Sequence, residues 1–182
     1  MDLVKGIKER RSIRKFQEKP IDRKLIEEIV ETARFAPSWK NTQVVRYLVV
    51  DDKEKIAAIA NSKCTYGFDY NIKAIAGAPA VVILTFVEGR SGFDKDGSFS
   101  TPKGDGWQMF DAGIAAQTFC LAAHEKGLGT VIQGYFDDAE LKKVLPIPEG
   151  QQVGAVIPIG YPTKAEVAAP PRKETSELLT FI

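Results

Sequence analysis

The chain has 182 residues, 44% of them hydrophobic and 27% charged, with a net charge of +1. This balance describes one globular domain over 1–182 with a real core, and it excludes a disordered chain. The near-zero charge argues against nucleic acid or an anionic membrane as the main partner, so basic residues matter where they cluster.

Residues 2–10 set Leu3, Val4 and Ile7 at helical spacing, and this first helix delivers Arg10-Arg11-Ser12-Ile13-Arg14-Lys15-Phe16 at its end. Guanidinium groups grip phosphate through paired donors, and a serine hydroxyl adds a compact donor beside them. The cluster therefore suits an anionic small molecule; read alone, it is also a solvated basic helix end. The N-terminal stretch has no apolar signal core and no run reaches membrane-span length, so a cytoplasmic protein is expected.

Asp22 reads as the cap of a second helix, with Ile21 stapled onto Ile26 and an apolar face of Leu25, Ile26, Ile29, Val30 and Ala33. Pro37 ends it. The polar loop Pro37-Ser38-Trp39-Lys40-Asn41-Thr42-Gln43 leads into a strand over 46–50. It is an ordinary connection by composition, but its amides and hydroxyls could also read the edge of a heterocycle. Asp51-Asp52 caps a helix over 53–60, the aromatic stretch Thr65-Tyr66-Gly67-Phe68-Asp69-Tyr70 reads as irregular, and a short helix is expected near 71–76. Ala80 to Val87 is the clearest strand.

Residues 88–106 carry Gly, Ser and Asp without an apolar period, which marks a candidate lid. Within them Asp94-Lys95-Asp96-Gly97-Ser98 begins like a calcium loop, but the glycine comes two places early and the closing glutamate is missing. Residues 107–126 form the longest helix pattern, apolar on most sides, as expected of a central or interfacial helix. Gly127 ends it, and Gly127-Leu128-Gly129 is punctuation, not a phosphate loop. A buried strand over 130–134 closes on glycine, where backbone can approach a ligand. Asp137 and Glu140 make a capping box for a helix through Leu145, and the last core strand covers 152–160. The tail, about 162–182, ends in Leu178-Leu179-Thr180-Phe181-Ile182, an apolar end suited to packing on a partner subunit. This order gives an α+β domain with helices on a mixed sheet.

The single histidine, His124, has no serine–aspartate partner pattern, and Cys64 and Cys120 read as core residues in a reducing compartment. No spacing suits a metal, a carboxylate pair or a Rossmann nucleotide loop. Any enzymatic chemistry must be carried by a cofactor.

Taken together, the motifs resemble the nitroreductase family of FMN-dependent NAD(P)H oxidoreductases. They are Glu9-Arg10-Arg11-Ser12-Ile13-Arg14-Lys15-Phe16, Ala36-Pro37-Ser38, Asn41-Thr42-Gln43, Asp111-Ala112-Gly113-Ile114-Ala115-Ala116-Gln117, Gly127-Leu128-Gly129-Thr130, Gly160-Tyr161-Pro162 and Pro171-Arg172-Lys173. The resemblance implies an intertwined homodimer with two FMN sites at the subunit interface. It assigns Arg10, Ser12, Arg172 and Lys173 to the FMN phosphate, Arg11 to the ribityl chain or phosphate, and Arg14 to the pyrimidine edge. Pro37, Ser38 and Asn41 would come from the other subunit, with Gln43 nearby. The backbone of Ile132, Gln133 and Gly134 would lie by flavin N5, and Lys73 matches a flavin-contacting lysine of some members. No side chain is assigned as catalytic and no metal is implied. The implied activity is ping-pong hydride transfer from NADH or NADPH to a nitroaromatic or quinone. A different redox reaction on the same fold, or a flavin sensor or storage role, are the alternatives. Departures from the family pattern are Trp39-Lys40, Val44-Val45-Arg46, Gln133 and the 88–106 segment.

Overall fold

In β2 (Ala80–Val87) every residue from Ala80 to Phe86 is buried, because this strand lies inside the sheet and is covered on both faces. A computed structural model describes residues 2–164 and 168–182; residues 165–167, part of the tail expected to pack on a partner, lie outside the described residues. The sheet runs β1 (Val45–Val50), β2, β4 (Gln151–Gly160) and β3 (Gly129–Thr130).

Two layers of helix enclose it. On one face α2 (Arg23–Ala33) and α5 (Gly106–Glu125) pack on Val82, Leu84, Phe86, Ala155, Ile157 and Ile159. On the other, α3 (Lys53–Ile59), α4 (Asp69–Ala76) and α6 (Asp138–Val144) bring Ile56, Ile59, Ile75 and Leu141 onto Val81, Ile83 and Val156. Such alternation along β2 is the period-two pattern of a strand buried twice. In β4 it slips once: Leu84 pairs with Ala155 but Thr85 with Val153, so Gly154 is an extra residue. A Cβ on Gly154 would stand 3.2 Å from that of Ala112, so the bulge lets α5 lie close.

The sheet is antiparallel at every strand pair, not mixed as expected. Two helices, α3 and α4, separate β1 from β2, so the chain re-enters the sheet from the end it left. With α5 alone between them, β3 runs parallel to β2, but β4 is inserted between the two strands and opposes both. The one parallel pairing among the described residues is the isolated bridge Ser12–Thr130. The strand expected over 130–134 is also shorter, with only Gln133 returning to bridge Val156. Pro158 of β4 lies opposite Val131 and has no N–H to donate, which breaks the ladder.

Local signals placed the helices. Asp2, Asp22, Asp52 and Asp137 each accept a backbone N–H at the start of α1 (Leu3–Glu9), α2, α3 and α6. Each such cap is worth about 1 kcal/mol. Both cysteines are buried and unpaired, as expected of core residues. On α5, Met109 and Phe110 are 51% and 59% exposed, so this apolar helix is not fully covered by its own chain. The same holds at the tail, where α7 (Thr175–Leu178) is followed by exposed Leu179, Phe181 and Ile182. No helix among the described residues is long and apolar enough to cross a membrane.

Candidate functional site

The arginine segment is laid along the sheet edge by backbone pairing. Arg10 closes α1 as its C-cap, Ile13 N–H donates to the Thr130 carbonyl at 2.9 Å, and Gln17 N–H donates to Tyr161 O at 2.8 Å. Gly129 makes this approach possible: a Cβ there would sit 2.6 Å from the Cβ of Ile13. Gly160 does the same beneath Phe16 and Pro79. Gly129, which reads as punctuation, and Gly160, at the end of the last core strand, thus form the contact surface for residues 12–16.

Arg10 and Arg11 line a cavity of about 1210 Å³ together with Lys5, His124, Gly129 and Thr130. Within it the Arg10 Nε and His124 Nε2 atoms are buried without a partner. Burial lowers the His124 pKa, so the imidazole is neutral at pH 7. Arg11 turns back on its own helix end, its Nη1 donating to the Lys8 and Arg10 carbonyls. Ser12 and Arg14 are exposed, and Arg14 Nη1 donates to Ser12 O at 3.3 Å.

Beyond Thr130, Ile132 is 45% exposed while Gln133 is buried, and the Gln133 Nε2 has no partner. A buried amide donor left unpaired costs free energy and points to a missing acceptor. Gly134 follows, and then Tyr135, whose carbonyl accepts from Asn71 Nδ2 at 3.2 Å. This contact brings the N-terminal end of α4 to the site. Tyr135 packs edge-on against Tyr66 and Phe68, with ring centroids 5.1 and 5.8 Å away, and Phe68 adjoins Tyr70. All four rings are substantially exposed. The sequence flagged 65–70 as aromatic but gave no sign that Tyr135, far along the chain, completes the shelf. Lys73, also on α4, lies outside both cavities and pairs with Asp69 at 2.5 Å.

The 37–43 loop lies elsewhere. Pro37, Ser38 and Gln43 line a separate cavity of about 620 Å³ between α2, β1 and α5. A 3₁₀ turn over Trp39–Asn41 runs through left-handed backbone, with φ of 44° at Lys40, 54° at Asn41 and 50° at Gln43. Three non-glycine residues there are unusual and need an outside constraint. Ser38 Oγ accepts from Gln43 N–H at 3.0 Å, and Trp39 N–H donates to the Asp111 carboxyl group. Arg172 and Lys173 are exposed in the tail, where Arg172 Nη1 donates to the Pro170 and Pro171 carbonyls. One chain therefore brings Arg10, Arg11, Ser12 and the 132–134 segment onto one sheet edge. It leaves the 37–43 loop apart from them.

The model of the nitroreductase family matches residues 7–65 and 68–161. The chain belongs to the nitroreductase family. Among its relatives, a Methanothermobacter thermautotrophicus protein with a provisional NADH dehydrogenase/NAD(P)H nitroreductase name is 32% identical over 168 residues, 90% of this chain and 79% of the relative. The Bacillus subtilis FMN reductase [NAD(P)H] is 27% identical over 192 residues, covering 100% of this chain and 75% of that one. The solved structure of an FMN-dependent nitroreductase from Clostridium difficile R20291 superposes with a TM-score of 0.75 at 28% identity, covering 98% of each chain. The relatives' names carry the cofactor and the donor class that the motifs of this nitroreductase-family chain imply.

Proposed function

We propose that this chain is an FMN-dependent NAD(P)H oxidoreductase whose acceptor is a planar nitroaromatic or quinone-type compound. The observation that carries the reading is the pair of buried orphan donors, Arg10 Nε and Gln133 Nε2, on either side of the Ser12–Thr130 bridge. An anionic phosphate answers the first and a heterocycle with acceptor atoms answers the second. When bound, FMN would supply two-electron redox chemistry between NADH or NADPH and the acceptor, the two using the site in ping-pong order.

The residues bind and orient. Arg10 and Ser12, with Arg172 and Lys173 from the tail, hold the phosphate; Arg11 stands by the ribityl chain and Arg14 by the pyrimidine edge. The backbone of Ile132, Gln133 and Gly134 lies against the ring. Cations at the pyrimidine end favour the charge that reduction places near N1. Lys73 is exposed and paired with Asp69, and joins this set through its remaining N–H donors. No side-chain acid or base is assigned.

Ser38, Asn41 and Gln43 complete the site from a second subunit of a cytoplasmic homodimer. Support comes from two incomplete surfaces: within one chain the 37–43 loop and the Arg10-Arg11 pair line separate cavities, and Phe110, Phe181 and Ile182 are exposed. A C-terminal segment, about 162–182, reaching over the partner would account for the apolar end. The shelf of Tyr66, Phe68 and Tyr135 beside Gln133 favours flat acceptors, which stack on aromatic faces. The test is an anaerobic absorption spectrum of the purified protein. A yellow protein that bleaches with NADH or NADPH and recovers with a quinone or nitroarene is expected. A colourless protein that takes up no added FMN would overturn the reading, and a yellow one that never bleaches would favour a sensor.

A further inference from the structure

Asp111 sits on the first turns of α5, only 2% exposed, and no lysine or arginine pairs with its carboxyl group among the described residues. Both of its oxygens accept from Trp39 N–H, at 3.1 and 3.0 Å, and Oδ2 also accepts from the buried Ser91 hydroxyl at 2.6 Å. These bonds span 72 and 20 residues of chain, so one side chain ties two loops to one helix. The rest of the join is built around that pin. Trp39 packs on Trp107 with centroids 4.6 Å apart, Trp107 Nε1 donates to Thr101 Oγ1 at 3.0 Å, and Lys40 pairs with Asp94 at 3.0 Å. The left-handed residues Lys40, Asn41 and Gln43 follow directly after the pinned Trp39 amide.

We propose that Asp111 is a positioning residue for the flavin site: it fixes the strained 37–43 loop so that Ser38, Asn41 and Gln43 are presented to FMN, and through Ser91 it locks the 88–106 segment to the same geometry. This rests on the reading that the loop contacts FMN. Asp111 does not touch the flavin itself. A carboxyl group suits the task because its two oxygens accept from both loops at once and offer no competing donor. The segment that looked like a lid is, in this account, a brace.

The chain has two tryptophans, Trp39 and Trp107, and both are in the join, so its near-ultraviolet circular dichroism reports the loop without any flavin. In Asp111→Leu, which keeps the branched skeleton, is bulkier and removes the acceptors, that tryptophan signal should collapse and FMN should bind about tenfold more weakly. Asp111→Asn should restore both, since its Oδ1 accepts from Trp39 N–H and its Nδ2 donates to Ser91 Oγ. Ser91→Ala, a milder change, should weaken FMN a few-fold and keeps the test available if Asp111→Leu does not fold. Asn41→Ala serves as the direct-contact control. If Asn41→Ala loosens FMN while Asp111→Leu loses its tryptophan signal and binds FMN as wild type, Asp111 is not a positioning residue. If Asn41→Ala also leaves FMN binding unchanged, the contact between loop and flavin is what has failed.

Discussion

Two regions of this molecule serve one proposed site and are held in different ways. The arginine segment, 10–17, is fixed by backbone: a bridge from Ser12 to Thr130, amide bonds from Ile13 and Gln17, and glycines that admit the contact. The 37–43 loop is fixed by side chains, above all one buried aspartate, and keeps a left-handed path that its sequence does not favour. Backbone pairing tolerates most substitutions that preserve small residues at the contact. A side-chain pin tolerates few, but it can couple distant loops to each other.

The largest expected effect comes from removing charge on the backbone-held side. Replacing Arg10 and Arg172 together with alanine should weaken FMN binding about a hundredfold or more, because each charge-assisted bond lost is worth about 1.5–3 kcal/mol. Fluorescence titration of FMN measures it, and the melting temperature of the unliganded protein should barely move. Next is Gly129→Val, which drives a side chain into Ile13. It should cost about 1–3 kcal/mol in denaturant unfolding and loosen FMN as well, unlike the arginine pair. If it left both unchanged, the sheet-edge contact would not be what orders the arginines.

A smaller effect is expected at the aromatic shelf. Phe68→Ala should raise KM for a nitroarene several-fold, about 1 kcal/mol of lost stacking, with FMN affinity unchanged. The smallest concerns His124. Burial holds its folded pKa below the ordinary 6.5, so above that pH both states are neutral and it contributes nothing. As pH falls through the unfolded value toward the folded one, the unfolded chain takes up the proton first and stability declines. His124→Gln should therefore flatten the acid side of the stability curve between pH 7.5 and 5.5, measured by urea midpoints in the absence of FMN.

Much of this was legible in the sequence where the signal is local. The caps at Asp22, Asp52 and Asp137, the β2 strand and the core cysteines follow from neighbours within a few residues, whereas the Asp2 cap of α1 was not read. What was not legible depends on residues far apart. The strand after Thr130 was overestimated because the proline that interrupts it lies on β4, and the sheet was taken as mixed because the insertion of β4 between β2 and β3 leaves no local mark. Tyr135 and Asp111 were missed as site residues for the same reason. Tyr135 carries no mark of its own in the sequence and Asp111 stands there only as the first residue of a motif; their partners Asn71, Trp39 and Ser91 lie far from them along the chain.

The central claim is that the two regions meet across a subunit interface to make one flavin site. Subunit mixing tests it most directly. Chains carrying Arg10→Ala and Arg14→Ala, with one affinity tag, are co-refolded with chains carrying Ser38→Ala and Asn41→Ala and a second tag, and the doubly tagged species is isolated. Each parent should bind FMN poorly, whereas the mixed dimer, which keeps one intact arginine segment facing one intact loop, should bind one FMN per two chains with wild-type affinity. A mixed dimer as empty as its parents, or no mixed dimer at all, would contradict the account.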